Sequence, residues 1–160
     1  VVTYVETGVC DMGVVGKDTI MEKGGTFYEV ADLGFGKCRF ALAVLKGKDL
    51  YEGYHTLTIA SKYVNVAKAF FEQKNMDVDI VKIEGSVELA PVLGLADAIV
   101  DIVETGTTLK ENGLVVAEEV CPVSARLIVN IASMKLRKQE IEELIDKIEK
   151  DIKQRKAKEA

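Results

Sequence analysis

The stretch Asp101-Ile102-Val103-Glu104-Thr105-Gly106-Thr107-Thr108-Leu109 constrains this chain more than any other. It follows the apolar run Ala98-Ile99-Val100, which reads as a buried strand, and leads into Lys110 to Asn112, closed by Gly113. A strand ending in acids, then Thr-Gly-Thr-Thr, then a helix start is suited to a phosphate ester. The glycine permits a tight turn, successive N–H groups face one concavity, and three hydroxyls donate beside them. The acids upstream repel phosphate but suit the hydroxyls of a sugar carried by it. The pattern suggests a ribose-phosphate site. An ordinary strand-to-helix turn capped by threonine accounts for the same residues equally well.

Short units alternate on either side of this stretch. Val1 to Glu6 reads as the end of a helix stopped by Gly8, and Val9 to Val15 as a strand. A short helix opens at Gly16-Lys17-Asp18, runs through Glu22 and breaks at Gly24 and Gly25. Cys38 to Leu45 is a long apolar strand, followed by a polar connection from Lys46 to His55. Then come strand Thr56–Ala60, helix Val64–Lys74, strand Val78–Ile83, helix Ser86–Leu93 and strand Ala98–Ile102. Two further strands are expected at Val115–Val120 and Ala125–Ile131. Short linkers between such units predict an α/β fold with βαβ connections. In the tail, Lys135 to Ala160, the apolar residues Leu136, Ile141, Leu144, Ile145, Ile148 and Ile152 form one helix face. Glu143–Lys147, Asp146–Lys150 and Glu149–Lys153 are acid-before-base pairs on the other. The basic stretch Lys153 to Lys158 is flanked by the acids Asp151 and Glu159, which favours a solvated helix end over a membrane anchor.

Composition excludes several classes. A chain of 160 residues that is 48% hydrophobic can bury a core as one domain or two lobes. A net charge of -5 argues against nucleic acid as a partner. No apolar run has the length of a membrane span, and no signal peptide is visible, so a cytoplasmic protein without membrane partners is expected. Cys10, Cys38 and Cys121 are odd in number and widely spaced, and are expected as buried, reduced thiols. His55, the single histidine, is expected at the surface beside Tyr54.

Glu84-Gly85-Ser86-Val87-Glu88-Leu89-Ala90-Pro91, then Gly94-Leu95-Ala96-Asp97, the Asp101 to Leu109 stretch and Glu111-Asn112-Gly113-Leu114 together resemble the signature region of the ATP phosphoribosyltransferases. Gly8 to Asp18 and Ile59-Ala60-Ser61-Lys62-Tyr63 resemble two further blocks of that family, in the same order. The resemblance runs from about Val1 to about Ile148. It departs at Val64, where the family usually has proline, and it begins beyond the family's N-terminal segment with its Lys-Gly-Arg loop.

The resemblance implies a two-lobed α/β fold like the type II periplasmic binding proteins, with two crossover strands, a C-terminal helix and the ligand in the cleft. Cys38–Leu45 is the expected outgoing crossover and Ala125–Ile131 the expected return. The first lobe would comprise residues 1–44 and 126–160, and residues 45–125 would form the inserted lobe. The implied reaction condenses ATP with phosphoribosyl pyrophosphate, with Mg2+, to N1-(5-phosphoribosyl)-ATP and pyrophosphate, the first step of histidine biosynthesis. Thr105, Gly106, Thr107 and Thr108 would bind the 5-phosphate, and Asp101 and Glu104 the ribose hydroxyls or magnesium. Glu84 and Ser86 are further candidates at a neighbouring strand tip, as are Asp11, Gly13 and Gly16 beside the nucleotide. Capping of the following helix is the alternative role for Glu84 and Ser86, and backbone turning explains the two glycines equally well. Without the Lys-Gly-Arg segment, Lys17 is the expected local cation, and little turnover is expected of these residues alone.

The ending after one helix resembles the family's short form. That form works in a hetero-oligomer with a regulatory subunit resembling histidyl-tRNA synthetase. A non-catalytic two-lobed receptor for a small ligand, or an inactive fragment of the enzyme, are the alternatives, because fold alone does not decide function.

Overall fold

The computed structural model describes residues 1–53 and 55–159. Tyr54 in the polar connection and Ala160 at the end of the tail lie outside the described residues, as do the side chains of Lys156, Lys158 and Glu159. The elements run α1 (Val2–Glu6), β1 (Met12–Gly16), α2 (Lys17–Lys23), β2 (Tyr28–Asp32), β3 (Cys38–Leu45), β4 (Leu57–Ser61) and α3 (Val64–Gln73). They continue with β5 (Val78–Lys82), α4 (Leu89–Val92), β6 (Ala98–Val103), α5 (Thr107–Glu111) and β7 (Leu114–Val123). β8 (Ala125–Val129), α6 (Ile131–Leu136) and α7 (Lys138–Glu159) complete the chain.

Two compact units result, one of Val1–Lys37 with Val123–Ala160 and the other of Cys38–Pro122. In the first, β8 lies between β1 and β2 and is antiparallel to both. Its central place explains why Leu127, Ile128 and Val129 are buried in succession. β8 is the centre of this sheet, and the chain re-enters the unit at Val123, the last residue of β7. Val2 and Val5 of α1 pack on Ile128, with Val15, Ile20 and Phe27 around them. Gly13 lets α1 come this close, since a Cβ there would meet Val1 at 2.6 Å and Val5 at 2.9 Å. β2 is an edge strand that the sequence reading missed: Glu29 and Asp32 interrupt its apolar pattern, and its register shifts between Glu29 and Ala31.

Asn130 ties this unit together. Its side chain accepts from Ser133 N–H at 2.9 Å, capping α6, and donates to the Val5 carbonyl at 2.8 Å. The residue is buried. Asn130→Ala removes a cap and strands a carbonyl, so a loss of about 2 kcal/mol is expected. Urea unfolding checks it; an unchanged midpoint would mean that water replaces both bonds.

The second unit is a five-stranded sheet in the order β5-β4-β6-β3-β7. β4 is parallel to β5 and β6, whereas β3 is antiparallel to β6, so the array is mixed and only partly βαβ. Phe40 to Val44 of β3 and Ala98 to Val100 of β6 are buried on both faces, as expected of inner strands. One face packs Ala41, Ala43, Ala60, Ile99 and Val103 against Val87, Ala90, Leu109 and Leu114. The small residues there admit the short helices α4 and α5 close to the sheet.

Three expectations need correction. The helix expected over Ser86–Leu93 spans only Leu89–Val92, because Ser86 takes a left-handed conformation (φ 52) that a helix cannot include. The tail breaks at Arg137 into α6 and α7, leaving Leu136 and Leu144 exposed while Ile141 is buried. Among the described residues, the ion pairs made within α7 are Lys138–Glu142 and Asp151–Arg155 in place of the expected three. Finally, no cysteine is buried: Cys10 is exposed, and Cys38 and Cys121 are half-buried. His55 is at the surface, 3.6 Å from Asp97.

Candidate functional site

The sheet order of the second unit sets the position of its site. The chain leaves β4 for β5 on one side, then passes over to β6 on the other side of β4. The carboxyl ends of β4 and β6 therefore flank a topological switch point, where α/β sheets bind ligands. A concavity of ≈ 340 Å³ lies at the end of β6, within the range of small-molecule sites. It is lined by Glu88 and by the continuous stretch Asp101 to Leu109.

β6 ends at Val103, and Glu104-Thr105-Gly106 turns the chain into α5. Gly106 has φ 79 and ψ 9, a left-handed conformation that glycine adopts without strain. Leu109, buried against the core, anchors α5 behind the turn. The Thr105 and Thr107 hydroxyls lie 3.0 Å apart, so both occupy the same side of the loop. Among the described residues, the N–H groups of Thr105 and Gly106 donate to no backbone acceptor, and the first N–H groups of a helix have none within it. Thr107 N–H reaches the Thr105 hydroxyl at 3.4 Å, and the Thr105 and Gly106 N–H groups remain as backbone donors beside the paired hydroxyls. Such a surface accepts an anion with several oxygens.

Acids border it. Asp101 sits on β6 opposite Ala41 of β3 and accepts from Ile102 N–H at 2.8 Å. Burial pushes its carboxyl above the usual aspartate range, and the nearby Glu88 charge adds to this, while the Ile102 N–H and the Lys62 ammonium oppose it. Glu104 belongs to the same lining. The sequence analysis missed Glu88, although it lies inside the Glu84–Pro91 block. The turn created by Ser86, which periodicity does not disclose, brings it to the concavity.

The other candidates lie elsewhere. Glu84 pairs with Lys82 at 2.7 Å, and this hydrogen bond chiefly holds its carboxyl below the ordinary range. Neither Glu84 nor Ser86 lines the concavity. Asp11, Gly13 and Gly16 belong to the first unit. There Asp11 accepts from the Ser133 hydroxyl at 2.7 Å and pairs with Arg137 at 2.6 Å. Gly16 precedes α2 as its cap, and Lys17 is paired with Glu29 at 2.6 Å.

The fold is that of the two-lobed, type II periplasmic-binding-protein-like α/β proteins. A mutant of ArgBP from T. maritima matches 96% of this chain and 67% of its own, with TM-score 0.59 at 14% identity. That likeness concerns the fold alone. More specifically, the chain belongs to the ATP phosphoribosyltransferase family, whose profile (HisG: ATP phosphoribosyltransferase) matches residues 1–150. The ATP phosphoribosyltransferase of Clostridium kluyveri is 62% identical over 152 residues, 95% of this chain and 69% of that protein. That of Clostridium botulinum is 59% identical over 152 residues, covering 95% and 72% respectively. The ATP phosphoribosyl transferase (HisG:HisZ) complex from Thermotoga maritima contains a chain matching 95% of this one and 75% of its own, with TM-score 0.83 and 36% identity.

Proposed function

We propose that the protein joins ATP to phosphoribosyl pyrophosphate, releasing pyrophosphate and forming N1-(5-phosphoribosyl)-ATP, the opening step of histidine biosynthesis. The observation that carries this reading is the Thr105 to Thr108 loop, whose Thr105 and Gly106 N–H groups have no backbone acceptor among the described residues, with its flanking acids, in a chain of this family. Backbone N–H groups and hydroxyls of the loop hold the 5-phosphate. Asp101 and Glu104 accept from the ribose hydroxyls, fixing the sugar relative to the incoming base. Adenine N1 carries its own lone pair, so attack on ribose C1 needs no general base. The C1–O bond to pyrophosphate breaks as the C1–N1 bond forms, and catalysis comes from alignment and charge stabilisation. A receptor of the same fold would need no such loop.

Magnesium fits this site as a passenger of the substrate. The carboxylates Asp101 and Glu104 are hard oxygen donors, yet among the described residues no three acids, histidines or cysteines gather as a metal group. Such a set suits a Mg2+ held by one or two carboxylates and otherwise by substrate oxygens. When bound, the ion neutralises pyrophosphate charge. We further propose a cytoplasmic setting and a hetero-oligomer with a regulatory subunit, the arrangement named for the Thermotoga maritima complex. Among the described residues, no helix is long and apolar enough to cross a membrane.

Pyrophosphate release from ATP and phosphoribosyl pyrophosphate tests the reaction. Release that depends on both substrates, little from these residues alone and more with the regulatory partner, is the expected result. Binding of phosphoribosyl pyrophosphate with no release under either condition would overturn the catalytic reading.

A further inference from the structure

The concavity has a charge problem. Among the described residues, its lining contains three acids, Glu88, Asp101 and Glu104, and no basic side chain. The ligand assigned to it carries a phosphate at one end of a ribose and a pyrophosphate at the other. The loop donors serve the first, and nothing in the lining serves the second.

A neighbouring chain segment able to supply a cation is the turn after β4. β4 runs parallel to β6 with Ile59 opposite Ala98 and Ala60 opposite Ile99. Continuing that register brings Lys62 level with Asp101. The turn is pinned in place: the buried Ser61 hydroxyl donates to the Val100 carbonyl at 2.6 Å and accepts from Tyr63 N–H at 2.9 Å. Behind it, the Tyr63 ring makes an edge contact with Phe40, centroids 4.8 Å apart. Lys62 itself is exposed and, among the described residues, makes no ion pair. Its charge nonetheless reaches both Asp101 and Glu84. The other local cations are placed differently. Lys82 is engaged by Glu84, and Lys110, in the last turn of α5, does not line the concavity.

We infer that Lys62 is a substrate-contacting residue whose ammonium binds the pyrophosphate group of phosphoribosyl pyrophosphate and stabilises its departure. The inference rests on the proposed phosphoribosyl site. Along the strand tips, the phosphate loop follows β6, the ribose-facing Asp101 lies on β6, and Lys62 follows β4 one strand over. This order matches the order of phosphate, ribose and pyrophosphate in the ligand. A pinned turn carrying an ammonium also offers a positive charge to the negative charge that develops on the leaving group. The proton stays on Lys62 throughout; the leaving oxygen takes the bonding electron pair of C1–O.

Calorimetry with three ligands tests this on wild type, Lys62→Met and Lys62→Arg. Losing one charge-assisted contact should weaken phosphoribosyl pyrophosphate and inorganic pyrophosphate about tenfold or more in Lys62→Met, with ribose 5-phosphate unchanged. Lys62→Arg should recover most of the loss. Unchanged affinity for phosphoribosyl pyrophosphate in Lys62→Met would overturn the inference. So would an equal loss for ribose 5-phosphate, which would put Lys62 at the shared sugar-phosphate end. Wild type binding phosphoribosyl pyrophosphate but not ribose 5-phosphate would count against the phosphate loop, while the two pyrophosphate ligands would still decide the role of Lys62.

Discussion

A folded Gly106→Val protein should lose phosphoribosyl pyrophosphate binding by about 100-fold or more, the equivalent of two charge-assisted hydrogen bonds. Gly106 sits at φ 79 and ψ 9, where a β-branched residue is strained. A Cβ built there would come no closer than 3.7 Å to Val103, so crowding of the protein is not the difficulty. The strain is conformational, and relieving it turns the Thr105 and Gly106 N–H groups away from their present directions. The fold should survive, because β6 and the Leu109 anchor lie outside the turn. Gly106→Asn separates shape from space, since asparagine tolerates the left-handed region, and should retain more affinity than valine. Calorimetry on proteins with unaltered circular dichroism decides the matter. Undiminished affinity in Gly106→Val would remove the loop from the site.

This dependence on one backbone conformation also explains how much of the site was legible. Asp101 to Leu109 could be read directly because its determinants are local: an apolar run, a glycine, three hydroxyls and a second apolar anchor. β3, β4, α3 and β5 were legible within a residue or two for the same reason. Glu88 was not, because it reaches the concavity through a left-handed Ser86 and a helix of four residues. Serine advertises no such turn as glycine would. Lys62 escaped for a different reason: its relation to Asp101 comes from the pairing of β4 with β6, across 39 residues at the Ser61–Val100 bond. β8 was recognised as a strand, but not as the centre of a sheet. Its apolar sequence says that both faces are covered and is silent about which strands flank it.

Asp101→Asn should move stability and binding in opposite directions. Burial raises the Asp101 pKa in the folded protein above its ordinary 3.8, with Glu88 adding to the shift. The folded state then holds its proton more tightly than the unfolded state does. Wild-type stability should therefore fall as pH rises from about 3.8 through the raised value, and stay reduced above it. Asparagine keeps the shape and never ionises, so the ligand-free variant should match wild type in acid and exceed it at neutral pH. Binding should respond the other way. In the proposed site an ionised Asp101 would accept from ribose hydroxyls, and a neutral amide would give up about 1.5–3 kcal/mol per charge-assisted bond, tenfold or more in affinity. Thermal melts across pH, paired with calorimetry at neutral pH, read both effects on one pair of proteins. A variant more stable yet weaker in binding marks a carboxylate kept at a cost to the fold because the ligand requires it. A variant whose melts parallel wild type at every pH would show that burial imposes no such cost, and equal affinity would leave Asp101 with only the end of β6 to hold.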